Sequence, residues 1–149
     1  MILEARPLSI FGVYDRGVPT QERIVLYASA PVSLREYAVG LGIRQPMDFF
    51  IPIPDCFFWL GDTAMAEPGW VFIYTGRGQR SVTRETHSGL AVQALYWGRE
   101  QVVLASADVI PVVYRFDQVL IGNGPNRSMM EVPEFAQKLL ANTAFSLTK

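Results

Sequence analysis

The 149-residue chain has little of the side-chain chemistry that marks many enzymes and secreted proteins. It contains one cysteine, Cys56, and one histidine, His87. A single cysteine excludes an intrachain disulfide, and a single histidine excludes a metal site built on two histidines. Lysine is also scarce, since Lys138 and Lys149 are the two lysines among 13 basic residues. The formal net charge of −1 implies no general attraction to nucleic acid or to anionic membranes.

Long hydrophobic runs are missing as well. The most apolar stretch, around "FFIPIP", is far too short to span a bilayer, so no membrane partner is expected. The first residues, "MILEARPLSIFG", mix acid and base and lack the apolar core of a signal peptide. Half of the residues are nevertheless hydrophobic, which is enough for a sizeable core. We therefore expect one cytoplasmic domain over residues 1–149.

The hydrophobic pattern has a period of two rather than 3.6, which is typical of β-strands. Closely spaced turn signals such as Pro68-Gly69 separate the strands, and crossover helices between them are absent from the pattern. These features predict an all-β protein, an antiparallel β-sandwich or barrel. One C-terminal helix is expected at residues 133–142, because Pro133 suits a first helical position and Glu134 a first turn. The predicted strands are 8–15, 22–29, 34–42, 56–62, 70–76, 90–98, 101–106 and 109–117.

The strand within "EPGWVFIYTGRG" must present two different faces. Trp70, Phe72 and Tyr74 share one face, and Val71 and Ile73 share the other. Trp and Tyr carry polar tips that suit a partly wet surface. We therefore predict that Val71 and Ile73 are the inner pair.

The end of the same stretch, Gly76-Arg77-Gly78, has the composition of a phosphate-binding loop but matches neither common template. A P-loop needs Gly-Lys-Ser/Thr followed by a helix, and "QRSVTRETHSG" offers no lysine and poor helix formers. A dinucleotide loop needs a third glycine where Ser81 stands. The two glycines are instead interpreted as a sandwich corner, where they can supply positive φ angles.

Several stretches follow one another in a distinctive order: "ERIVL", "PVSLREY", "EPGWVFIYTG", and then "WG" followed by "VVLA" and Asp108. This order resembles that of lamin tail domains over roughly residues 23–116. Lamin tail domains are immunoglobulin-like β-sandwiches. The resemblance implies an antiparallel immunoglobulin-like β-sandwich that serves as an interaction module, and it carries over no catalytic residues.

Residues 77–87 form the most basic local stretch, "RGQRSVTRETH". We expect an exposed loop in which Arg77, Arg80 and Arg84 are available to phosphates or to acidic side chains. This makes a nucleic-acid or phosphate-ligand module the alternative to a protein-binding module. The loop is expected to add little stability, because Val82 is its one large apolar residue.

Residues 47–60, "MDFFIPIPDCFFWL", form the most hydrophobic stretch. Pro52 and Pro54 exclude a regular central strand there. The segment either plugs one end of the sandwich, which we favour, or forms an exposed patch for a partner. For the second case the candidate binding residues are Phe49, Phe50, Phe57 and Trp59. Self-association is then the favoured use, because symmetric oligomers dominate among soluble proteins.

The sequence supports a catalytic site less well than it supports a binding surface. The residue types allow two arrangements, a Cys56–His87 nucleophile and base and a carboxylate site from Asp48, Asp55 and Asp62. Buried cysteine mostly acts as a small hydrophobe, and the spacing of the aspartates does not fit a calcium loop. The sequence therefore predicts a non-enzymatic β-sandwich, without cofactor or metal, that binds a protein partner or its own copies.

Overall fold

The computed structural model describes residues 6–122, Gly124 and Lys138. Contacts divide the chain into two units, Met1–Asp117 and Gln118–Lys149, and each is considered by itself. Apart from Lys138, the helix predicted at residues 133–142 lies outside the described residues. The assignment of residues 1–149 to a single domain stays a prediction.

The first unit is built from ten β-strands, which confirms the mostly β prediction. Two 3₁₀ turns, Leu34–Glu36 and Pro46–Asp48, lie between strands. The strands are β1 (Leu8–Tyr14), β2 (Arg23–Ala28), β3 (Val32–Ser33), β4 (Tyr37–Arg44), β5 (Phe50–Trp59), β6 (Ala64–Met65), β7 (Gly69–Tyr74), β8 (Ser81–Arg84), β9 (Ala91–Tyr96) and β10 (Val109–Arg115).

The strands form a five-stranded sheet in the order β1-β2-β7-β9-β8, a three-stranded sheet in the order β10-β4-β5, and the small pair β3-β6. The described strand pairs are antiparallel, as expected, except at one place, where β7 and β9 are parallel. The reason is β8, which the sequence pattern did not reveal. It pairs with the far side of β9 and runs antiparallel to it, so β9 returns in the direction of β7.

The core has a sandwich-like arrangement, since both larger sheets contribute to one buried cluster. Val71 and Ile73 are completely buried, whereas Trp70, Phe72 and Tyr74 are half-buried, so the predicted faces of β7 are confirmed. Each fully buried aliphatic side chain contributes about 1.5–3 kcal/mol. The cluster includes Ile24, Leu26, Val71, Ile73 and Leu95 from the five-stranded sheet and Tyr37, Val39, Leu41 and Cys56 from the three-stranded sheet.

Residues 101–106 do not form the predicted strand, and a buried carboxylate explains why. The side chain of Glu22 is almost fully buried and accepts hydrogen bonds from the backbone N–H groups of Val103 (2.9 Å) and Leu104 (3.3 Å). It also accepts from the Thr75 hydroxyl (2.6 Å) and from the Gly17 N–H (3.1 Å). Amides that a strand would direct to a neighbouring strand are here satisfied by a side chain.

The same segment is held a second time by the side chain of Arg16. One terminal nitrogen of its guanidinium donates to the carbonyl oxygens of Leu104 (3.2 Å), Ser106 (2.8 Å) and Val109 (2.9 Å). Charged donors make stronger hydrogen bonds than neutral ones. Glu22 and Arg16 together fix the path of the chain into β10.

Candidate functional site

The turn Gly76-Arg77-Gly78 leads into strand β8 and not into a helix, so no helix N-terminus follows it. Neither glycine has a positive φ angle, which corrects the expectation about them. Gly78 is required for another reason, because a Cβ atom there would collide with the ring of Tyr96. The Gly76 carbonyl accepts from the N–H of Gly98 (2.9 Å), which ties the turn to the end of β9. This geometry is that of a sheet corner.

The segment 77–87 was predicted to be a loop, and this is wrong for Ser81–Arg84, which form the edge strand β8. The arginines are directed to separate partners, and Arg84 also donates to the nearby carbonyl of Gly89 (3.0 Å). Arg77 pairs with Glu100 (2.8 Å), Arg80 donates to the Thr63 hydroxyl (3.2 Å), and Arg84 pairs with Glu67 (2.7 Å). Use of Arg77, Arg80 and Arg84 as a ligand-binding group stays a prediction.

A negative charge lies at the end of this basic segment. The carboxylate of Glu85 accepts from the hydroxyl and the N–H of Ser88 (both 2.6 Å) and from the N–H of His87 (2.9 Å). These bonds, the Ser88 hydroxyl first, lower the pKa of Glu85 from 4.5 to about 2. The carboxylate therefore stays charged throughout the physiological range and closes the turn between β8 and β9.

Replacing Arg77, Arg80 and Arg84 together by alanine is expected to change the melting temperature by no more than a few degrees. The ion pairs of Arg77 and Arg84 are solvent-exposed, and exposed pairs contribute about 0–1 kcal/mol. Thermal unfolding followed by circular dichroism at low and at high salt measures this. A much larger loss would mean that the hydrogen bond of Arg80 to Thr63 is structural.

The hydrophobic segment 47–60 forms the irregular edge strand β5 of the three-stranded sheet. Its pairing with β4 jumps from Pro52↔Gly42 to Phe57↔Gly40, so residues 53–56 lie opposite a single residue of β4. Asp55 within this bulge has a φ angle of 62°. The prediction that the prolines exclude a regular central strand agrees with this edge position.

The four candidate residues of this segment are exposed, so the favoured interpretation as a plug is wrong for them. The exposed fraction is 68% for Phe49, 55% for Phe57, 46% for Trp59 and 37% for Phe50. Other residues of the strand do face inward, since Cys56 is buried and Ile53 and Phe58 pack against the core. We call Phe49, Phe50, Phe57 and Trp59 the β5 surface.

Glycines on β4 allow aromatic rings to lie against the outer face of the three-stranded sheet. A Cβ atom on Gly40 would come within 2.9 Å of the ring of Tyr114, and one on Gly42 within 2.7 Å of the ring of Phe50. The ring of Phe57 lies 6.3 Å from that of Tyr114. Strand register places Arg44 and Phe50 at one end of this face, and the rest of it is formed by the uncharged residues Ala38, Gly40, Gly42, Pro52, Phe57, Trp59, Ile110, Val112 and Tyr114.

The five-stranded sheet carries a second aromatic group that sequence reasoning did not identify as a site. The guanidinium carbon of Arg23 lies 5.5 Å from the ring centres of Tyr14 and Phe72 and 5.7 Å from that of Tyr74. Arg23 also pairs with Asp15 at 2.6 Å, and its buried Nε has no hydrogen-bond partner. A concavity of about 330 Å³ lies over this face. The sequence feature that indicates this aromatic group is the alternation of aromatic residues along β7.

The candidate nucleophile and base, Cys56 and His87, do not contact each other through a hydrogen bond. Cys56 contacts the guanidinium of Arg99 (3.5 Å), whereas His87 donates its N–H to Glu85, and no hydrogen bond joins Cys56 to His87. Asp62 is directed to Arg35 at 3.7 Å. Within the part of the chain that the structure describes, no three His, Cys, Asp or Glu side chains lie close enough to hold a metal ion.

Comparisons with other proteins add no identification. No protein-family model, no curated protein and no solved structure matches the chain. Among residues 6–122, Gly124 and Lys138, no helix has the length and the apolar character needed to cross a membrane.

Proposed function

We propose that this protein is a non-enzymatic β-sandwich module that binds another protein through the β5 surface, and that a second copy of the chain is its favoured partner. The observation that carries the proposal is the exposure of four aromatic side chains along one sheet edge. Contiguous exposed apolar patches on soluble proteins commonly mark interaction sites. A patch of this kind can pair with itself around a two-fold axis.

The chemistry of the surrounding sheet face supports the same proposal. Charged residues are depleted in the centre of protein interfaces and aromatic residues are enriched there. Ala38, Gly40 and Gly42 of β4 lie on this outer face. Neither they nor their register partners on β5 and β10 carry a charge. Burying the exposed half of one phenylalanine ring stabilises a complex by on the order of 1–2 kcal/mol. Several rings together are needed to offset the entropy lost on association.

The family-level part of the proposal follows the resemblance to lamin tail domains. We infer an immunoglobulin-like sandwich that serves as an interaction module, and the two packed sheets support this inference. Cytoplasmic location and the absence of a cofactor belong to the same proposal. They would be tested by fractionation and by native mass spectrometry of the purified protein.

The double variant Phe49→Ser with Phe57→Ser is expected to weaken self-association at least tenfold. Truncation of central aromatic residues costs an interface about 2 kcal/mol or more each. Size-exclusion chromatography with light scattering, over a range of concentrations, measures the change. The matched control is Phe11→Ser, which removes an equally exposed ring, 59%, from the other sheet. This control should leave association unchanged.

Two results would count against the proposal. The first is a wild-type chain that is monomeric at all concentrations and captures no partner in a pull-down. The second is equal association of the double variant and the wild type. Folding of each variant is verified by its circular dichroism spectrum, so that loss of association is not confused with unfolding.

The nucleic-acid alternative remains distinct and has its own test. Two of the three arginines already face a carboxylate, which lowers the local positive charge available to a phosphate. Binding of labelled single-stranded DNA or RNA that falls steeply with added salt would favour this alternative. The triple arginine variant should then lose that binding.

A further inference from the structure

The concavity of about 330 Å³ over the five-stranded sheet has a shape that follows from the strand register. One row across β1, β2 and β7 is bulky and consists of Tyr14, Arg23 and Tyr74. The adjacent row consists of Gly12, Val25 and Phe72. Its members on β1 and β2 are small, so the sheet face is recessed there. We call this recess the trough, and its volume is at the lower end of the usual range for small-molecule sites.

The wall of the trough that faces Arg23 is formed by two aromatic rings. Phe11 lies in the bulge of β1, and its ring meets that of Trp70 edge to face, with centres 4.9 Å apart and planes at 82°. Both residues line the concavity. Two rings at nearly a right angle form an apolar corner, in which a third ring can contact both of them.

The guanidinium of Arg23 uses only one of its three nitrogens for hydrogen bonds within the described chain. Nη1 donates to the carboxylate of Asp15 (2.6 Å) and to the carbonyl oxygen of Gln21 (3.0 Å). Nε is buried and has no partner among the described residues. Nη2 has no described partner either, but it is accessible to solvent. Buried donors nearly always have an acceptor, so the Nε–Nη2 edge is an unused recognition element.

The rings around Arg23 do not replace the missing acceptor. The guanidinium carbon lies 5.5 Å from the ring centres of Tyr14 and Phe72 and 5.7 Å from that of Tyr74. Ring faces attract the positive charge. The N–H groups of a guanidinium point outward in its own plane, where they need oxygen acceptors. The rings therefore hold the charge in place and leave the Nε–Nη2 edge free for a ligand.

The other charged residue of the lining is Glu85, in the turn between β8 and β9. Strand order places β2 on one side of β7, and β9 with β8 on the other. A ligand that lies on the β7 side chains therefore has Arg23 on one side and Glu85 on the other. The bonds from Ser88 and His87 keep the Glu85 carboxylate ionised, so it repels a dianion more strongly than a monoanion.

We propose that the trough binds an aromatic monocarboxylate, whose oxygens accept from Nε and Nη2 of Arg23 and whose ring enters the corner of Phe11 and Trp70. This edge of a guanidinium matches the two oxygens of a carboxylate. Because Nη2 is accessible, a carboxylate that binds it lies beside Nε and pairs with both after a small rotation of the guanidinium. The ligand then supplies the acceptor that the buried Nε lacks.

Two sources can provide this chemistry, a free aromatic acid and the C-terminus of a peptide that ends in phenylalanine. Both present one carboxylate a short distance from one ring. The trough shares no residue with the β5 surface, so the inference is independent of the proposed function.

The test titrates the full chain with phenylacetate, phenylacetamide, acetate and phenyl phosphate. Binding is followed by NMR, with the Nε–H signal of Arg23 as the reporter. Phenylacetate is expected to bind at least tenfold more tightly than the amide, which lacks the charge, and than acetate, which lacks the ring. The Nε–H signal should move to lower field, because it gains a charged acceptor. A short peptide ending in phenylalanine, with a free or an amidated C-terminus, distinguishes the two sources.

The decisive variant is Arg23→Lys, which keeps the positive charge beside Asp15 but has no Nε–Nη2 edge. It should bind phenylacetate at least tenfold more weakly. The matched control is Arg35→Lys, since Arg35 also faces an aspartate, Asp62 at 3.7 Å, and lies outside the trough. This control should bind like the wild type. Phe11→Ser removes an exposed ring from the corner and should weaken binding severalfold, which tests the site even if Arg23→Lys fails to fold.

Each result decides for or against the proposal. Equal affinities for phenylacetate and phenylacetamide, an Nε–H signal that does not move with any ligand, or an unchanged affinity in both Arg23→Lys and Phe11→Ser would overturn it. Tighter binding of phenyl phosphate than of phenylacetate would overturn the assigned ligand class. Tighter binding of the free-terminus peptide than of phenylacetate, lost on amidation, supports the site with a peptide terminus as its source.

Discussion

Replacing Glu22 by alanine is expected to lower the free energy of unfolding by about 3–5 kcal/mol, because several buried donors lose their common acceptor. The carboxylate accepts from the N–H groups of Gly17, Val103 and Leu104 and from the hydroxyl of Thr75. Alanine leaves these donors without a protein partner, and each unpaired buried donor costs about 1–3 kcal/mol. Entry of water would recover part of that loss. Stabilities of single domains are about 5–15 kcal/mol, so the variant is expected to be marginal.

Urea unfolding at neutral pH measures this change. Hydrogen exchange at Val103 and Leu104 should accelerate in the same variant, because these amides lose their acceptor. The matched control is Glu36→Ala, since Glu36 is an exposed glutamate whose side chain forms no hydrogen bond with a described residue. This control should change the stability by no more than about 0.5 kcal/mol. A Glu22→Ala loss no larger than that of the control would show that the carboxylate is not the anchor of residues 101–106.

Ile73→Asp is expected to abolish folding. Ile73 is completely buried, and its neighbours in the sheet, Ile24 and Leu95, are equally inaccessible to water. An isolated carboxylate cannot be solvated there, and a neutral one still leaves its polar atoms unpaired. The penalty exceeds the stability available to a domain of this size. Loss of the β-sheet circular dichroism signal, or recovery of the protein as inclusion bodies, would report it.

The adjacent residue provides the control, because β7 alternates between its two faces. Tyr74 stacks on Tyr96 with ring centres 5.1 Å apart and is half-buried on the outer face. Tyr74→Ser removes this contact, which is worth about 0.5–1.5 kcal/mol, and should leave the protein folded. A folded Ile73→Asp variant together with an unfolded Tyr74→Ser variant would reverse the assignment of the two faces.

The candidate surfaces differ in how far the sequence could predict them. The aromatic and proline content of residues 47–60 was sufficient to nominate Phe49, Phe50, Phe57 and Trp59. Whether they point inward or outward depends on the bulge at residues 53–56, which changes the register of β5 with β4. A shift of register moves side chains from one face to the other, and it depends on pairing partners far away in the chain.

Local chemistry by itself determined the mostly β class and the inner and outer faces of β7. These features follow from side-chain alternation and turn residues, which act over a few neighbouring positions. Tertiary structure decided the parallel pairing of β7 with β9, the edge position of β8, the partners of the three arginines and the replacement of a strand at residues 101–106 by bonds to Glu22. Each of these depends on hydrogen bonds or ion pairs between residues distant in sequence, and a one-dimensional pattern does not encode which distant donor meets which acceptor.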